Sequence, residues 1–170
     1  CSVSRASRGI WATGILALVA GALVAASGAT QEVTLDGYER FVAPDGSFRF
    51  PGESARNGLA HLGSWFVPAG PSAGSHQRHT PPAALAIYRE TGVFPDGTVL
   101  VKELRDHVRG DYTTGGNVAS ASAPTQWFLM VKDVRGRHPD HPLWQQGWGW
   151  ALFKADAPGR NVATSFASDC

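Results

Sequence analysis

Lys102 is the residue whose surroundings most invite chemistry. It lies in the run Thr98-Val99-Leu100-Val101-Lys102-Glu103-Leu104, β-branched and apolar, which leaves the turn Pro95-Asp96-Gly97. Proline presets φ, aspartate can close a turn through its own side chain and glycine tolerates φ > 0, so the run reads as a strand launched from that turn. Alternation puts Thr98, Leu100, Lys102 and Leu104 on one face and Val99, Val101 and Glu103 on the other. A lysine flanked by leucines has two readings. Desolvation disfavours the ammonium, so an amine held in apolar surroundings loses its proton more readily and becomes a nucleophile. Alternatively the stem lies along apolar surface and the ammonium reaches water, the usual fate of a charged residue on a strand.

The histidines offer less. His76 and His79 stand three apart, the spacing of one helix face, but Pro81 and Pro82 follow at once and a helix there would have to begin beyond them. In an extended chain the two point to opposite faces, and no further ligands stand at zinc spacing. His76 and Arg78, by contrast, share a strand face. His61, His107, His138 and His141 are ligands by type, without a motif around them. Gly115-Gly116 lacks the lysine and helix context of a phosphate loop, and no serine sits in a nucleophile elbow. The cysteines are Cys1 and Cys170. Cys1 would leave with a leader, which strands Cys170 as a lone thiol in an exported chain. A C-x-x-C-H haem attachment box with Cys170 as its first cysteine is one natural continuation of Ser168-Asp169-Cys170, although a single terminal cysteine is by itself no motif.

These groups need a scaffold. The chain has 170 residues, 43% of them apolar, and a net charge of +1. That is globular composition, and the near-neutral balance gives no reason to expect nucleic acid as a partner. Ser4-Arg5-Ala6-Ser7-Arg8, then an apolar run from Ile10 to Ala26, then Ser27-Gly28-Ala29, is the build of a secretory signal peptide over residues 1–29. The apolar run falls short of the ~20 residues a membrane span needs, although a retained anchor is the alternative. Residues 30–170 are enough for one domain.

Gln31 to Gly37 reads as a connector. Tyr38 to Phe50 carries aromatics around a turn at Ala43-Pro44-Asp45-Gly46. Glu53 to Leu62 has Ala55, Leu59 and Leu62 at helical spacing, with Gly63 as its stop. Trp65-Phe66-Val67 reads as a strand and Pro68 to Ser75 as a connector. Pro82 to Thr91 is the clearest helix, with proline at its start, Leu85 and Tyr88 three apart, and Gly92 just past its end. Asp106 to Ala123 is polar and glycine-bearing and reads as a long loop. Trp127 to Lys132 is a second apolar strand, and Arg135 to Pro142 a basic loop. In Gln146-Gly147-Trp148-Gly149-Trp150-Ala151-Leu152-Phe153, alternation puts Trp148, Trp150 and Leu152 on one face and Gly147, Gly149 and Ala151 on the other. A strand face that bare lets something broad approach the backbone: a helix, another sheet or a flat cofactor, with protein packing the commonest cause. Ala157 to Cys170 reads as a loop.

Three segments resemble the cytochrome P-460 family, in the family's order and over roughly the last half of the chain: Tyr88 to Leu104, Trp127-Phe128-Leu129-Met130-Val131-Lys132-Asp133, and Gly147-Trp148-Gly149-Trp150-Ala151-Leu152-Phe153. The resemblance implies an α+β fold, a mainly antiparallel sheet with a few packed helices, in a single domain. It implies a periplasmic protein carrying haem c through a C-terminal C-x-x-C-H box, whose histidine, expected just beyond Cys170, is the iron ligand. A homodimer and a periplasmic electron-transfer partner go with it. In the P-460 type a lysine is also bonded to the porphyrin edge, and these proteins oxidise hydroxylamine; by position that lysine is Lys102. Two departures stand out. Where oxidising members place a carboxylate over the distal face, this chain has Phe128, which resembles the cytochrome c′-beta pockets that bind neutral diatomic gases. The family's distal arginine falls near His76, and Arg78, projecting from the same face, is the substitute. The resemblance thus implies redox chemistry on hydroxylamine or nitric oxide. The alternatives are a non-enzymatic gas-binding haem protein and a haem-free exported binding or structural domain.

Overall fold

The computed structural model describes residues 38–50 and 52–169. The signal peptide expected over 1–29, the connector from Gln31 to Gly37 and Cys170 lie outside the described residues. The architecture is a seven-stranded sheet in which every pairing is antiparallel, accompanied by short helices. The strands are β1 (Ala60–Val67), β2 (Gly74–Thr80), β3 (Val99–Tyr112), β4 (Gly115–Lys132), β5 (Trp144–Gln145), β6 (Trp148–Lys154) and β7 (Ala157–Asn161). Their order is β1-β2-β3-β4-β6-β5, with β7 also paired to β6. The helices are α1 (Tyr38–Phe41), α2 (Pro82–Thr91) and α3 (Phe166–Asp169), and Gly52–Arg56 forms a 3-10 turn. Among the described residues no helix is long and apolar enough to cross a membrane.

One face of the sheet is the core. Val99 and Val101 of β3, Trp127, Leu129 and Val131 of β4, and Ala151 and Phe153 of β6 are buried there with Phe41, Val42, Leu143 and Trp144. Phe50 tilts against Trp127 and stacks on Phe153, with ring centroids 4.6 and 5.1 Å apart. Each large side chain so buried contributes about 1.5–3 kcal/mol. Stability therefore resides on this face, which leaves the other free to carry function.

The turn before β3 closes differently from the sequence expectation. Thr98 supplies the closure through its backbone N–H and its hydroxyl, which donate to Pro95 O at 3.2 and 2.6 Å. Gly97 takes φ +75°, the left-handed value a type II turn requires at its third position. Asp96 faces away from its own turn and accepts from Val134 N–H at 2.8 Å while pairing with Arg137. Arg137 also grips Asp133, so one guanidinium fastens the start of β3 to the end of β4.

Two further expectations change and a third holds. The helix from Glu53 to Leu62 is only the 3-10 turn, and Leu62 belongs to β1, because cross-strand pairing with β2 claims the chain from Ala60 onward. Asp106 to Ala123 is not a loop. It forms the far half of a long β3–β4 ribbon that turns at Thr113-Thr114. Beyond Arg105 and Gln126 that ribbon pairs with no third strand among the described residues, so neither of its faces needs apolar residues. The bare face of β6 is covered by close protein packing, the commonest cause expected of it. A Cβ built on Gly149 would stand 2.6 Å from Phe48 and from Trp144, so core aromatics fill that space. Helix α2 keeps its expected bounds and ends at Gly92, φ +74°, whose N–H donates to Tyr88 O.

Candidate functional site

The register of the ladders places one residue from each of five strands in a row across the sheet. Gly63 of β1 faces Arg78 of β2, which faces Lys102 of β3, which faces Phe128 of β4, which faces Leu152 of β6. The neighbouring row runs Leu100, Met130, Trp150. These residues stand on the face opposite the core. Between them and helix α2 lies a cavity of about 620 Å³. The sheet contributes Leu62, Gly63, Arg78, Leu100, Val101, Lys102, Phe128, Met130 and Trp150, the helix contributes Leu85, Tyr88 and Arg89, and Phe94 follows. Tyr88 and Phe94 stack 4.2 Å apart, a flat aromatic pair at the wall.

Lys102 behaves as a lysine in apolar surroundings. Its Nζ sits 3.8 Å from the centre of the Phe128 ring, a cation–π contact, and among the described residues it has no carboxylate partner. Burial pushes its pKa below the usual lysine value, and the charge of Arg78 across the ladder pushes in the same direction. The leucine flanking is half as expected. Leu100 lines the cavity, whereas Leu104, though buried, does not, because the β3–β4 ladder slips between Leu104 and Arg105. Glu103 lies on the core face, as alternation requires. There it accepts from Trp127 Nε1 at 2.9 Å and pairs with Arg105 and Arg56 at 2.7 and 3.2 Å. Burial alone would raise its pKa, but these donors and cations outweigh that and hold it below the carboxylate norm.

The structure brings Lys102, Phe128 and Arg78 to one cavity; Cys170 lies outside the described residues. Arg78 rests its guanidinium on the Trp65 ring, 4.6 Å from the centroid, and is exposed at the cavity edge. His76 and His79 point to opposite faces, as an extended chain dictates. His76 stacks on Trp65 and its Nε2 donates to Ser72 O at 2.8 Å. His79 packs near His61, with ring centroids 5.3 Å apart. Burial first, and the nearby His61 second, lower the His79 pKa against the pull of Glu103. No histidine lines the cavity, and no group of three or more His, Cys, Asp or Glu among the described residues is arranged to hold a metal. Sequence reasoning missed Arg89, Tyr88 and Met130 as cavity residues. Their signal was available only as register: Met130 is two residues from Phe128, and Tyr88 and Arg89 sit in the last turns of α2.

The cavity suits a broad, flat, mostly apolar ligand. Its volume falls within the ~300–1,000 Å³ of small-molecule and cofactor sites. The apolar walls, the aromatic ring beneath Lys102 and the basic edge fit haem, with a ring edge against the amine. No curated relative matches the chain. The Cytochrome P460 family model matches residues 63–170, a span that holds β2 through β7 and every cavity residue except Leu62. The chain belongs to the cytochrome P460 family, which includes haem oxidoreductases.

Proposed function

We propose that the protein is a periplasmic c-type haem protein that performs redox chemistry on a small nitrogen species, hydroxylamine or nitric oxide. The observation that carries this reading is Lys102: a half-buried amine of depressed pKa, facing a largely apolar cavity of about 620 Å³. Haem would supply the iron at which a nitrogen ligand binds and exchanges electrons. Lys102 would hold the ring edge through Nζ, and Cys170 would be the first thioether cysteine. Phe128 forms the floor under the amine, and Arg78 stands beside it on the next strand. Export by a signal peptide, an electron-transfer partner in the periplasm and pairing of two copies belong to the same reading.

What Lys102 contributes is its lone pair. An ammonium has none to give, and a site that desolvates the side chain next to a second cation favours the neutral form. Joining Nζ to a ring-edge carbon removes one hydrogen from each. Two protons and two electrons leave, so a two-electron oxidant such as a peroxide must accept the electrons. The Lys102→Ala variant tests the linkage. Its intact mass should show haem held by the thioethers alone, and its absorption spectrum should shift toward that of an ordinary haem c. An unchanged spectrum counts against the bond.

One observation favours a second reading, a gas-binding haem protein of the cytochrome c′-beta kind without turnover. Among the described residues no aspartate or glutamate lines the cavity, and the family resemblance puts Phe128 at the position where oxidising members carry a carboxylate base. General-base help contributes about 10²–10⁴-fold. Hydroxylamine-dependent reduction of an electron acceptor by the purified full-length protein separates the two. Nitric oxide binding without that turnover supports the gas-binding reading, and a colourless protein supports a haem-free binding domain.

A further inference from the structure

His61 and His79 take no part in the cavity. They are partners in the β1–β2 ladder, and His79 pairs in turn with Val101 of the core. Both therefore stand on the face that carries the core, at its β1 edge. Spacing along the chain singles out His76 and His79, whereas the ladder brings His79 to His61. Residues directly opposite on antiparallel strands have Cβ atoms about 4.5–5.5 Å apart, close enough for two imidazoles to converge on one point. The ring centroids are 5.3 Å apart and the planes are tilted by 57°, so the rings are neighbours without stacking. Two metal–nitrogen bonds of about 2.0–2.1 Å, meeting at about 90–110°, would put the ring centroids about 4.5–5.3 Å apart. The observed spacing is the tetrahedral end of that range.

Two further observations point to a ligand here. His79 is 7% exposed, and its buried Nδ1 has no hydrogen-bond partner among the described residues. A buried nitrogen ordinarily has a partner, and leaving it without one costs stability. His61 shows the complementary feature: its Nε2 lies 2.7 Å from Ser64 Oγ. With Nε2–H donating to that hydroxyl, the lone pair rests on Nδ1. Metal-binding histidines are fixed in tautomer and orientation by an outer acceptor of this kind. His61 and Ser64 are exposed, which gives an ion a way in from solvent. The charged groups that act on His79 are Glu103 and Arg56, which pair with each other at 3.2 Å and so oppose one another.

We propose that His61 and His79 together bind one divalent transition-metal ion, copper(II) or zinc(II), between β1 and β2, with water in the remaining positions. Imidazole nitrogens suit these ions and not magnesium or calcium, and copper(II) should bind the more tightly of the two. The ion clips the edge strand to its neighbour. The inference is independent of what occupies the cavity on the other face.

The test is calorimetric titration of the purified, chelator-treated full-length protein with copper(II) chloride, zinc chloride and magnesium chloride in turn. Wild type should bind copper and zinc saturably, one ion per chain, and should not respond to magnesium. His61→Gln removes an exposed imidazole and should weaken copper and zinc roughly tenfold or more, whereas His141→Gln should stay within about threefold of wild type. His79→Gln, with far-UV circular dichroism reporting whether it folds, should lose the site as His61→Gln does. Zinc should also raise the Tm of wild type, as a ligand of the folded chain must, and should not raise that of His61→Gln. The proposal is overturned if wild type shows no saturable copper or zinc binding, or responds equally to magnesium. Undiminished affinity in His61→Gln overturns it, as does an equal rise in Tm with zinc. Equal losses in His61→Gln and His141→Gln overturn it too, since they mark adventitious ions only, held on surface histidines.

Discussion

Replacing Arg137 with methionine keeps much of the side chain's volume and removes the cation between two buried carboxylates. Asp96 and Asp133 are 8% and 4% exposed, and Arg137 bonds to both. Leaving a buried ion without its partner costs about 3–5 kcal/mol. Three features reduce that here. The Arg137 side chain is 27% exposed; Asp96 keeps the Val134 N–H and has Arg135 Nε at 3.6 Å; and Asp133 keeps the backbone N–H of residue 137 at 2.7 Å. The expected loss is therefore about 2–3 kcal/mol, or a fall in Tm of about 6–12 °C for a domain of this size. Urea denaturation at pH 7 followed by far-UV circular dichroism measures it, with an unchanged denaturant slope. A loss below about 0.5 kcal/mol, the scale of an exposed pair, refutes the reasoning. The acid side gives an independent check. Burial alone would raise the Asp96 pKa, but the Arg137 hydrogen bond, the Val134 N–H and the charges of Arg137 and Arg135 outweigh it and depress the value. The unfolded chain then takes up that proton more readily than the fold. The stability Asp96 contributes is full above the unfolded value near ~3.9 and is lost as pH falls through the lower folded value. In Arg137→Met that acid-side loss should shrink.

Two other perturbations bear on the scaffold. Because the folded state depresses the His79 pKa, the unfolded chain binds the proton first. Stability should therefore fall as pH drops below about 6.5, and His79→Leu should flatten that decline between pH 7.5 and 5.5 in urea titrations. Gly149→Ala places a methyl 2.6 Å from both Phe48 and Trp144, and because β6 pairs with β4 and β5, the rings must yield; a loss of about 1–3 kcal/mol is expected, and a variant as stable as wild type shows that this space is not filled as described.

The central part of the fold was legible because local chemistry and tertiary need agree there. Pro82 and Gly92 bound helix α2 whatever it packs against, and the apolar run from Val99 to Val101 alternates because one face meets the core. The site residues were legible through the same alternation, which separates Lys102 from Val101 and Glu103. Legibility failed where pairing came from afar. Nothing within Asp106 to Ala123 announces a strand, since among the described residues each arm pairs with the other arm alone and both faces meet solvent. Leu62 obeyed helical spacing with Ala55 and Leu59 by coincidence, and hydrogen bonds to β2 overrode it. The role of Asp96 was misassigned because its partner, Arg137, lies forty-one residues away, beyond any local rule.

The placement of Lys102 depends on a residue that never touches the cavity. A strand's side-chain period is two, so a slip of one residue in β3 would carry every side chain to the other face. Glu103 would then enter the cavity, and Lys102 would face Trp127 and the core without a carboxylate to meet it. Apolar pattern alone resists this weakly, because Leu100 and Val101 could trade places at modest cost. Glu103 resists it strongly. Glu103 is 3% exposed, and besides Arg105 of its own strand its carboxylate binds Trp127 Nε1 and Arg56, partners from β4 and the 3-10 turn that a shifted strand could not reach. Leaving those donors and that buried charge unmatched would cost several kcal/mol, more than any gain from moving the amine to water. The pairing on the hidden face thus fixes the register that points Lys102, and Arg78 across from it, at the cavity.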